Sequence, residues 1–338
     1  MSSYQFALID RTTARIGVGL QNIVRSWSEL ERWFHSKPAS RQIAIGYISY
    51  EQQIYFGIFE SMQKIPLSKL IATSPFTCSK LRGLNFTTYR KNFNRIQRHL
   101  AIGDIYQANY CYRLTGQTNA TPNQLLYHFV QRQPTPYTAF INTPDVQIIS
   151  NSPELGLSIH DDLVESRPMK GTRPRGTNTY QTLLHSAKDK AELDMIVDVV
   201  RNDLAQFAVP GSVVVKKRRQ IVGYNTVWQA QAVIQARRPK SVSTLAVLKT
   251  ILPFASVTGA PKLRAVQILK QLEPYKRGVY CGGIGYIAGK NRAEFNVAIR
   301  TATLSHGQLH YSVGGGITVD SDPKQEYQET LDKAAVLY

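Results

Sequence analysis

The chain is poor in cysteine and has no long apolar run. Its 338 residues include three cysteines, Cys78, Cys111 and Cys281, which lie far apart and form no CxxC pair. This pattern excludes a disulfide framework and a structural zinc site, and it is typical of a reducing cytoplasm. No apolar stretch approaches the ~20 residues that span a bilayer. The first residues contain no signal-peptide core. We therefore expect a cytoplasmic protein without membrane contact.

Acidic side chains are also few. The chain has 23 Asp and Glu against 41 Lys and Arg, a formal net charge of +18. Such an excess indicates an anionic partner: nucleic acid, a membrane surface or a small polyanion. The excess is dispersed, and its one dense run, KKRR at 216–219, follows the strand-like GSVVV. We interpret this run as a solvated strand end or loop, with a binding patch as the alternative.

The order of elements predicts the fold class. Apolar runs predict strands at 43–50, 146–150, 278–288 and 308–319, and helical spacing predicts helices at 88–101, 186–205 and 322–337. Strands and helices alternate without regular βαβ repeats, which favours an α+β sandwich with mostly antiparallel sheets over a doubly wound sheet. Prolines mark 64–87 as a connection, so we expect a short N-terminal subdomain (1–87) followed by a larger domain (88–338).

One predicted helix carries carboxylates where apolar side chains are expected. On the 186–205 helix, Glu192 projects into the apolar face and Asp189 lies one turn earlier beside it. A buried carboxylate is costly unless it is paired or bound to a metal. The helix alone leaves both interpretations open, an ion pair with an arginine or a metal site.

The last predicted helix repeats this feature. Asp322 is a natural N-cap and Pro323 fits the first helical position. Glu326, Glu329 and Lys333 then follow one edge of the apolar face. Two acidic pairs on two helices could together hold one oxygen-preferring cation, for which Mg²⁺ is best suited.

Three glycines precede this last helix. Gly314, Gly315 and Gly316 end a predicted strand, where bare backbone can approach an anion closely. Alone they are typical of a bulge or turn. Beside Lys333 and a metal they indicate a carboxylate-binding corner.

Five ordered stretches carry a family resemblance. From about residue 88 to the C-terminus the chain resembles the chorismate-utilising enzymes, which include anthranilate, aminodeoxychorismate, isochorismate and salicylate synthases. The stretches are SPELGLSIHDDLVESRPMKGTRPRG (152–176), KAELDMIVDVVRNDL (190–204), SVTGAPKLRAVQIL (256–269), RGVYCGGIGY (277–286) and GGGITVDSDPKQEYQETLDKA (314–334). The resemblance implies an α+β sandwich that binds a dianionic substrate through Mg²⁺.

The resemblance also implies roles for individual residues. Glu154 would be the general acid that protonates the departing ring hydroxyl. The implied binding residues are the direct metal ligands Glu192 and Glu329, the water-mediated ligands Glu326 and Asp189, the ring-carboxylate contacts Lys333 and Gly314–Gly316, the enolpyruvyl-carboxylate contacts Tyr280 and Arg300, and Thr258 in the SVTGAP stretch as a further substrate contact.

Two positions separate the chemistries within the family. Members that add water have a lysine base where this chain has Gln107, another implied substrate contact, so hydration is disfavoured. Lys170 stands where anthranilate synthases have a small residue, and the resemblance to aminodeoxychorismate synthases implies that it attacks the ring covalently, aided by Thr172. Arg173 or Arg175 would favour its neutral form. Gln229 stands where many family members have a histidine, which in anthranilate synthases is associated with the elimination of pyruvate.

The resemblance implies particular partners. The substrate would be chorismate, ammonia would come from a separate glutamine amidotransferase subunit, and the aminated product would pass to a separate pyridoxal-phosphate lyase. We expect no tryptophan regulation and no nucleic-acid partner. The alternatives are an anthranilate synthase component and, from another class, a basic Mg²⁺-dependent nucleic-acid-binding protein.

Overall fold

The computed structural model describes residues 4–10, 12–36, 42–224 and 227–337. Its helices are α1 Trp27–His35, α2 Phe86–Ala101, α3 Pro122–Arg132, α4 Thr179–His185, α5 Ala187–Ala205, α6 Thr244–Ile251, α7 Lys262–Leu272 and α8 Pro323–Ala334. Short 3₁₀ turns occur at Leu67–Lys69, Ala255–Val257 and Ala335–Leu337.

The strands make up most of the ordered core. They are β1 Gln5–Asp10, β2 Thr13–Val24, β3 Ile43–Ile48, β4 Ile54–Pro66, β5 Gln107–Gln117, β6 Tyr137–Asn142, β7 Gln147–Ser152, β8 Leu155–His160, β9 Leu163–Arg167, β10 Met169–Pro174, β11 Val214–Gly223, β12 Val227–Arg237, β13 Gly259–Ala260, β14 Gly283–Ala288, β15 Arg292–Val297, β16 Thr301–Ser305 and β17 Gln308–Ile317.

All strand pairs are antiparallel, and together they form one continuous ribbon. Its order is β13-β5-β17-β16-β7-β6-β1-β2-β4-β3-β14-β15-β8-β9-β12. β12 also pairs with β10 and, on its other edge, with β11. The prediction of an α+β fold with mostly antiparallel strands is confirmed.

The ribbon folds over on itself because its central strands are apolar on both faces. In β1, Phe6 and Leu8 enter an inner core, while Ala7 and Ile9, which point the other way, enter an outer core. The inner core combines side chains from β6 and β7 with others from β3 and β14. α1, α5 and α6 cover one outer face, and α2, α3, α7 and α8 cover the other. The result is a sandwich with helices on both outer faces.

The helix ends follow from local sequence. The Asp322 carboxylate accepts hydrogen bonds from the backbone N–H groups of Lys324 and Gln325, and Pro323 occupies the first turn, which confirms the predicted N-cap. Ser186 caps α5 by accepting from the N–H of Asp189. Because both helices begin at fixed caps, the positions of their carboxylates are set relative to the sheet.

Three local predictions are corrected. The predicted 278–288 strand begins only at Gly283, after a turn. The predicted 64–87 connection is confirmed for residues 70–85, which contain no helix or named strand, whereas its first residues belong to β4 and a 3₁₀ turn and its last two to α2. The KKRR run lies inside β11 instead of at a strand end, because its neighbours Val214–Gly223 pair with β12; Lys216, Lys217 and Arg218 are nevertheless exposed.

The N-terminal strands lie at the centre of the ribbon. β1 pairs with β6 and β3 pairs with β14, so residues 4–66 connect the two wings formed by the rest of the chain. The subdomain boundary between residues 87 and 88 stays a prediction, and it falls in the first turn of α2. Within the described ranges, no helix combines the length and the apolarity that crossing a membrane requires.

A fully buried arginine joins three segments beneath the sheet. The Arg277 guanidinium donates to both carboxylate oxygens of Glu273 at 2.6 and 2.8 Å, and to the carbonyls of Val257 and Asn109 at 2.7 Å each. It also stacks on Tyr50, with Cζ 4.2 Å from the ring centroid. The network satisfies a charge that would otherwise be too costly to bury.

We predict that Arg277→Met destabilises the fold by ~3–5 kcal/mol, because it leaves the Glu273 carboxylate buried without its partner. Urea unfolding followed by circular dichroism measures this change. The matched control is Arg201→Met, which removes the exposed pair with Asp198 (side chains 52% and 62% exposed). It should cost less than ~1 kcal/mol. Equal losses in the two variants would contradict the role assigned to Arg277.

Candidate active site

A cavity of about 850 Å³ opens where β10 and β17 face α5 and α8. Its wall brings together residues from distant parts of the chain, from Asn109 to Val336. The predicted site residues that line it are Glu154, Lys170, Thr172, Asp189, Glu192, Tyr280, Arg300, Gly314, Gly316, Glu326, Glu329 and Lys333.

Lys170 on β10 reaches across the cavity to the glycine strand. A Cβ atom on Gly316 would lie 3.3 Å from the Lys170 Nζ and would overlap the amide nitrogen of Gln107. Any side chain at position 316 would therefore displace the Gln107 amide and crowd the Lys170 amine. Gln107 is 1% exposed, and neither atom of its amide has a partner within the described part of the chain.

Glu154 has the environment of a proton donor. Its side chain is buried at the end of β7, and burial raises the pKa of Glu154 to about 7, against the lowering effects of the Ser256 hydroxyl and the Lys170 ammonium. Because the carboxyl is neutral below this pH, it can hold a proton near neutrality and release it to a leaving group.

Three carboxylates face the cavity from two helices. Glu192 comes from α5, and Glu326 and Glu329 come from α8. Burial raises the pKa of Glu192 and of Glu326. Partial burial acts to raise the pKa of Glu329, but the ammonium groups of Lys333, Lys170 and Lys188 outweigh this effect, so its pKa is lowered.

These carboxylates fit an oxygen-preferring cation by their chemistry. Among the residues that the structure describes, no three His, Cys, Asp or Glu side chains lie close enough to enclose a metal ion. The Lys188 ammonium instead lies 3.9 Å from Glu192 and 3.8 Å from Glu326, and Lys333 lies 2.7 Å from Glu329. The carboxylates thus attract positive charge to one corner, and their oxygen-only donor set suits Mg²⁺.

Asp189 has a different partner. Its carboxylate accepts a 2.7 Å hydrogen bond from Arg173, an ion pair of the kind that the sequence left open. Arg175 stacks on Trp228, with Cζ 4.2 Å from the ring centroid, and donates to the Tyr224 carbonyl. Both guanidinium groups are therefore engaged, and these contacts give no support to their predicted action on Lys170. A role for Asp189 beside a metal stays a prediction.

The cavity lining also includes a partly buried cation, Arg300. Burial lowers the pKa of Arg300, and within the described ranges no carboxylate lies within ion-pair distance of its guanidinium. Tyr280, which is 7% exposed, lines the same cavity. An unpaired guanidinium and a phenol on one cavity are suited to bind a carboxylate.

Two further contacts shape the wall around Lys170. The Lys333 ammonium donates to the Gly314 carbonyl at 2.8 Å, which joins the predicted carboxylate-binding corner. Gln229 is 2% exposed, and its amide nitrogen donates to the Thr172 hydroxyl at 3.4 Å, while its amide oxygen has no partner in the described residues. The Thr172 oxygen therefore accepts from Gln229, which leaves its hydroxyl proton to donate elsewhere.

Three predicted residues do not line the cavity. Thr258 is fully buried and its hydroxyl donates to the Ala255 carbonyl at 2.9 Å, so the structure does not bring it to the wall. A Cβ on Gly315 would lie 3.2 Å from the Glu326 carboxylate, and the buried Gln107 amide contacts Gly316 from the side that Lys170 approaches. Sequence reasoning missed Lys188 and Ser256; the i, i+4 spacing of Lys188 and Glu192 was the available signal for the first.

A buried acid, a lysine, clustered carboxylates and an unpaired guanidinium around one cavity define the site of an enzyme that takes a small anion, in contrast to an open nucleic-acid-binding surface. The profile of the family described as chorismate binding enzyme matches residues 73–338. The chain belongs to this family.

Curated relatives carry two different names. An aminodeoxychorismate synthase component 1 from Salmonella typhimurium is 37% identical over 268 residues, 77% of this chain and 59% of that protein. An anthranilate synthase component 1 from Pseudomonas aeruginosa is 36% identical over 256 residues, 74% of this chain and 52% of that protein. The chain spans little more than half the length of these relatives.

Solved structures share the fold. The anthranilate synthase component I from Streptococcus pneumoniae superposes with a TM-score of 0.81 at 23% identity, covering 98% of this chain and 91% of that one. The menaquinone-specific isochorismate synthase from Escherichia coli gives a TM-score of 0.84 at 18% identity, covering 99% and 87%. At these identities the likeness concerns the fold alone.

The position of Glu154 generates a pH-dependent prediction for stability. Burial raises its pKa from 4.5 to about 7 on folding, so the folded state loses stability as the pH rises from ~4.5 through 7. Glu154→Gln removes this loss. We expect the variant to exceed the parent by up to ~3 kcal/mol at pH 8 and to match it at pH 4. Urea unfolding at both pH values measures the difference, and an equal gain at both would contradict the assignment.

Proposed function

We propose that the chain is component 1 of an aminodeoxychorismate synthase. It converts chorismate and ammonia to 4-amino-4-deoxychorismate and water, with the enolpyruvyl group retained. The observation that carries the proposal is the placement of Lys170 and Glu154 on one cavity, since a primary amine and a neutral carboxylic acid are the two groups that a covalent substitution needs.

The first step uses both groups. Neutral Lys170 attacks ring carbon 2, the two conjugated ring double bonds shift, and the hydroxyl leaves carbon 4 as water with the proton of Glu154. The Glu154 pKa of about 7 supports this role, because the acid holds its proton at neutral pH yet gives it up readily. Lys170 then carries the substrate through a carbon–nitrogen bond.

The second step reverses the double-bond shift. Ammonia attacks carbon 4, and the electrons return to expel Lys170 from carbon 2. The proton lost by the new amine returns to Glu154 or to solvent, so the enzyme is regenerated. Gln107 supports ammonia over water as the nucleophile, because an amide cannot deprotonate water, whereas uncharged ammonia needs no base.

Binding groups for the substrate surround the cavity. Arg300 and Tyr280 would hold the enolpyruvyl carboxylate, and Lys333 with the Gly314–Gly316 strand would hold the ring carboxylate. Glu192, Glu326 and Glu329 would hold Mg²⁺, which would neutralise the ring carboxylate when bound. The Thr172 hydroxyl, oriented by Gln229, would donate to a substrate oxygen.

An anthranilate synthase component is the second candidate. The 36% identity to the Pseudomonas aeruginosa protein favours it almost as strongly as the first relative favours our choice. Lys170 and Gln229 argue against it, because an attacking lysine retains the enolpyruvyl group and an amide is a poor base for eliminating it.

The proposed reaction also implies partners. The relatives are called component 1, which implies a second component, and we assign it as a glutamine amidotransferase that supplies ammonia. A separate pyridoxal-phosphate lyase would consume the product. We place the protein in the cytoplasm, where chorismate and reduced cysteines would both be found.

A product assay tests the proposal. The purified chain is incubated with chorismate, MgCl₂ and ammonium chloride, and products are resolved by liquid chromatography and mass spectrometry. We expect aminodeoxychorismate without release of pyruvate. Fluorescent anthranilate together with pyruvate would establish the second candidate instead.

Lys170→Ala tests the covalent step. We expect turnover with saturating ammonium to fall by a factor on the order of 10³ or more, because the nucleophile is absent. Lys190→Ala, which removes an exposed lysine from the outer side of α5, is the matched control and should retain activity. Undiminished turnover in Lys170→Ala would show that ammonia attacks the ring directly.

A further inference from the structure

An exposed apolar cluster lies outside the start of β5. Leu263, Ile102 and Tyr106 are the most exposed large hydrophobic side chains in the described ranges, at 78%, 77% and 63%. The backbone N–H of Tyr106 donates to the Ala260 carbonyl at 2.6 Å, which brings the loop after α2 against the start of α7. We call Ile102, Tyr106 and Leu263 the apolar cluster.

An ion pair fixes this cluster. Arg264 donates to both carboxylate oxygens of Asp104 at 2.6 and 2.8 Å, and His99 contacts the same carboxylate at 2.8 Å. The Arg264 guanidinium holds the pKa of Asp104 at about 2, so the clamp persists across the physiological range. The three apolar side chains thus lie at a fixed junction of the α2 C-terminus, the following loop and the first turn of α7, although solvent exposure of this size is unfavourable for the isolated chain.

A cationic stripe leads into the cluster. Lys91, Arg95 and Arg98 are exposed on α2 and recur every three or four residues, in line with Ile102. Neither α2 nor α7 contains an Asp or Glu. In the described ranges, no ion pair engages these three side chains. The Asn92 amide donates to the Leu272 carbonyl at 3.3 Å, which holds the two helices side by side.

The same segment reaches the candidate active site. Tyr106 in the cluster is followed directly by Gln107, whose buried amide has no partner among the described residues. This amide approaches Gly316 from the same side as the Lys170 amine. A subunit seated on the cluster would therefore contact the end of the strand that carries Gln107.

We infer that the apolar cluster and the stripe formed by Lys91, Arg95 and Arg98 are the docking surface for the subunit that supplies ammonia. This inference rests on the proposed function and adds the place of contact. We expect the partner surface to offer an apolar recess rimmed by Asp and Glu, because these groups would complement the cluster and the stripe. A protein fits better than nucleic acid, because three apolar side chains exposed by more than half have no complement on a phosphate backbone.

The test compares two sources of ammonia. Purified glutamine amidotransferase subunits from the source organism are mixed with the parent chain, Leu263→Asp or Ile102→Asp, and product formation is measured with glutamine and with ammonium chloride. We expect each variant to lose at least ~10-fold in glutamine-dependent rate and in calorimetric affinity, as for truncation of an interface anchor. Its ammonium-dependent rate should stay within about twofold of the parent.

Val214→Asp is the matched control. Val214 is 44% exposed on β11, away from α2 and α7. The substitution therefore introduces the same charge at another apolar surface position. Both rates should equal those of the parent. Thermal unfolding of all variants verifies that the exposed substitutions leave the fold intact.

Each alternative gives a distinct result. If the cluster variants keep full glutamine-dependent activity and affinity, the docking inference is wrong and the proposed function stands. If the parent chain makes no aminated product from ammonium chloride, the proposed function fails, and calorimetry alone decides the docking surface. If fluorescein-labelled duplex DNA binds the parent and Leu263→Asp equally but does not bind Arg95→Glu, the surface binds nucleic acid and the docking inference is wrong. If the parent sediments as a dimer that Leu263→Asp dissociates, the surface is an interface between two copies of the chain, and the docking inference is also wrong.

Discussion

The position of the cavity wall depends on the hydrogen bonds made by one buried guanidinium. Arg277 can lie in the interior only because a carboxylate, two carbonyls and an aromatic face surround it. Two of those groups, the carbonyls, belong to Asn109 and Val257, which themselves line the cavity. Tyr280, three residues after Arg277, lines it as well. The cost of burying the charge therefore fixes the spacing of three segments that no local interaction would hold together.

The cavity contains charges that do not cancel in pairs. Arg300 has no counter-ion among the described residues, while Glu192 and Glu326 share a lysine at nearly 4 Å. A cavity that offers an unpaired guanidinium and three lysines, Lys170, Lys188 and Lys333, only partly balanced by carboxylates, favours an anionic ligand. Burial raises the pKa of Glu154 more than the Ser256 hydroxyl and the Lys170 ammonium lower it, so its acidity is set by burial more than by ion pairing.

Local sequence predicted the elements better than their arrangement. The Asp322 cap, the helical carboxylate stripes and the apolar strand runs each depend on neighbours within one or two turns, so they could be read directly. The long ribbon order, the pairing of Asp189 with Arg173 and the burial of the Thr258 hydroxyl depend on residues far apart in the chain. Twelve of the fifteen candidate site residues line the cavity. They could be named from the sequence because the ordered family motifs carry long-range information that hydrophobic periodicity lacks.

The exposed basic run of β11 has a consequence for the assembled sheet. Among the described strands β11 pairs only with β12, so its outer edge presents unpaired backbone groups. Such an edge is a template on which another chain can add a strand. Lys216 and Lys217 place like charges along it, and a second copy approaching edge to edge would meet the same charges. Part of the high net charge thus protects the protein against aggregation.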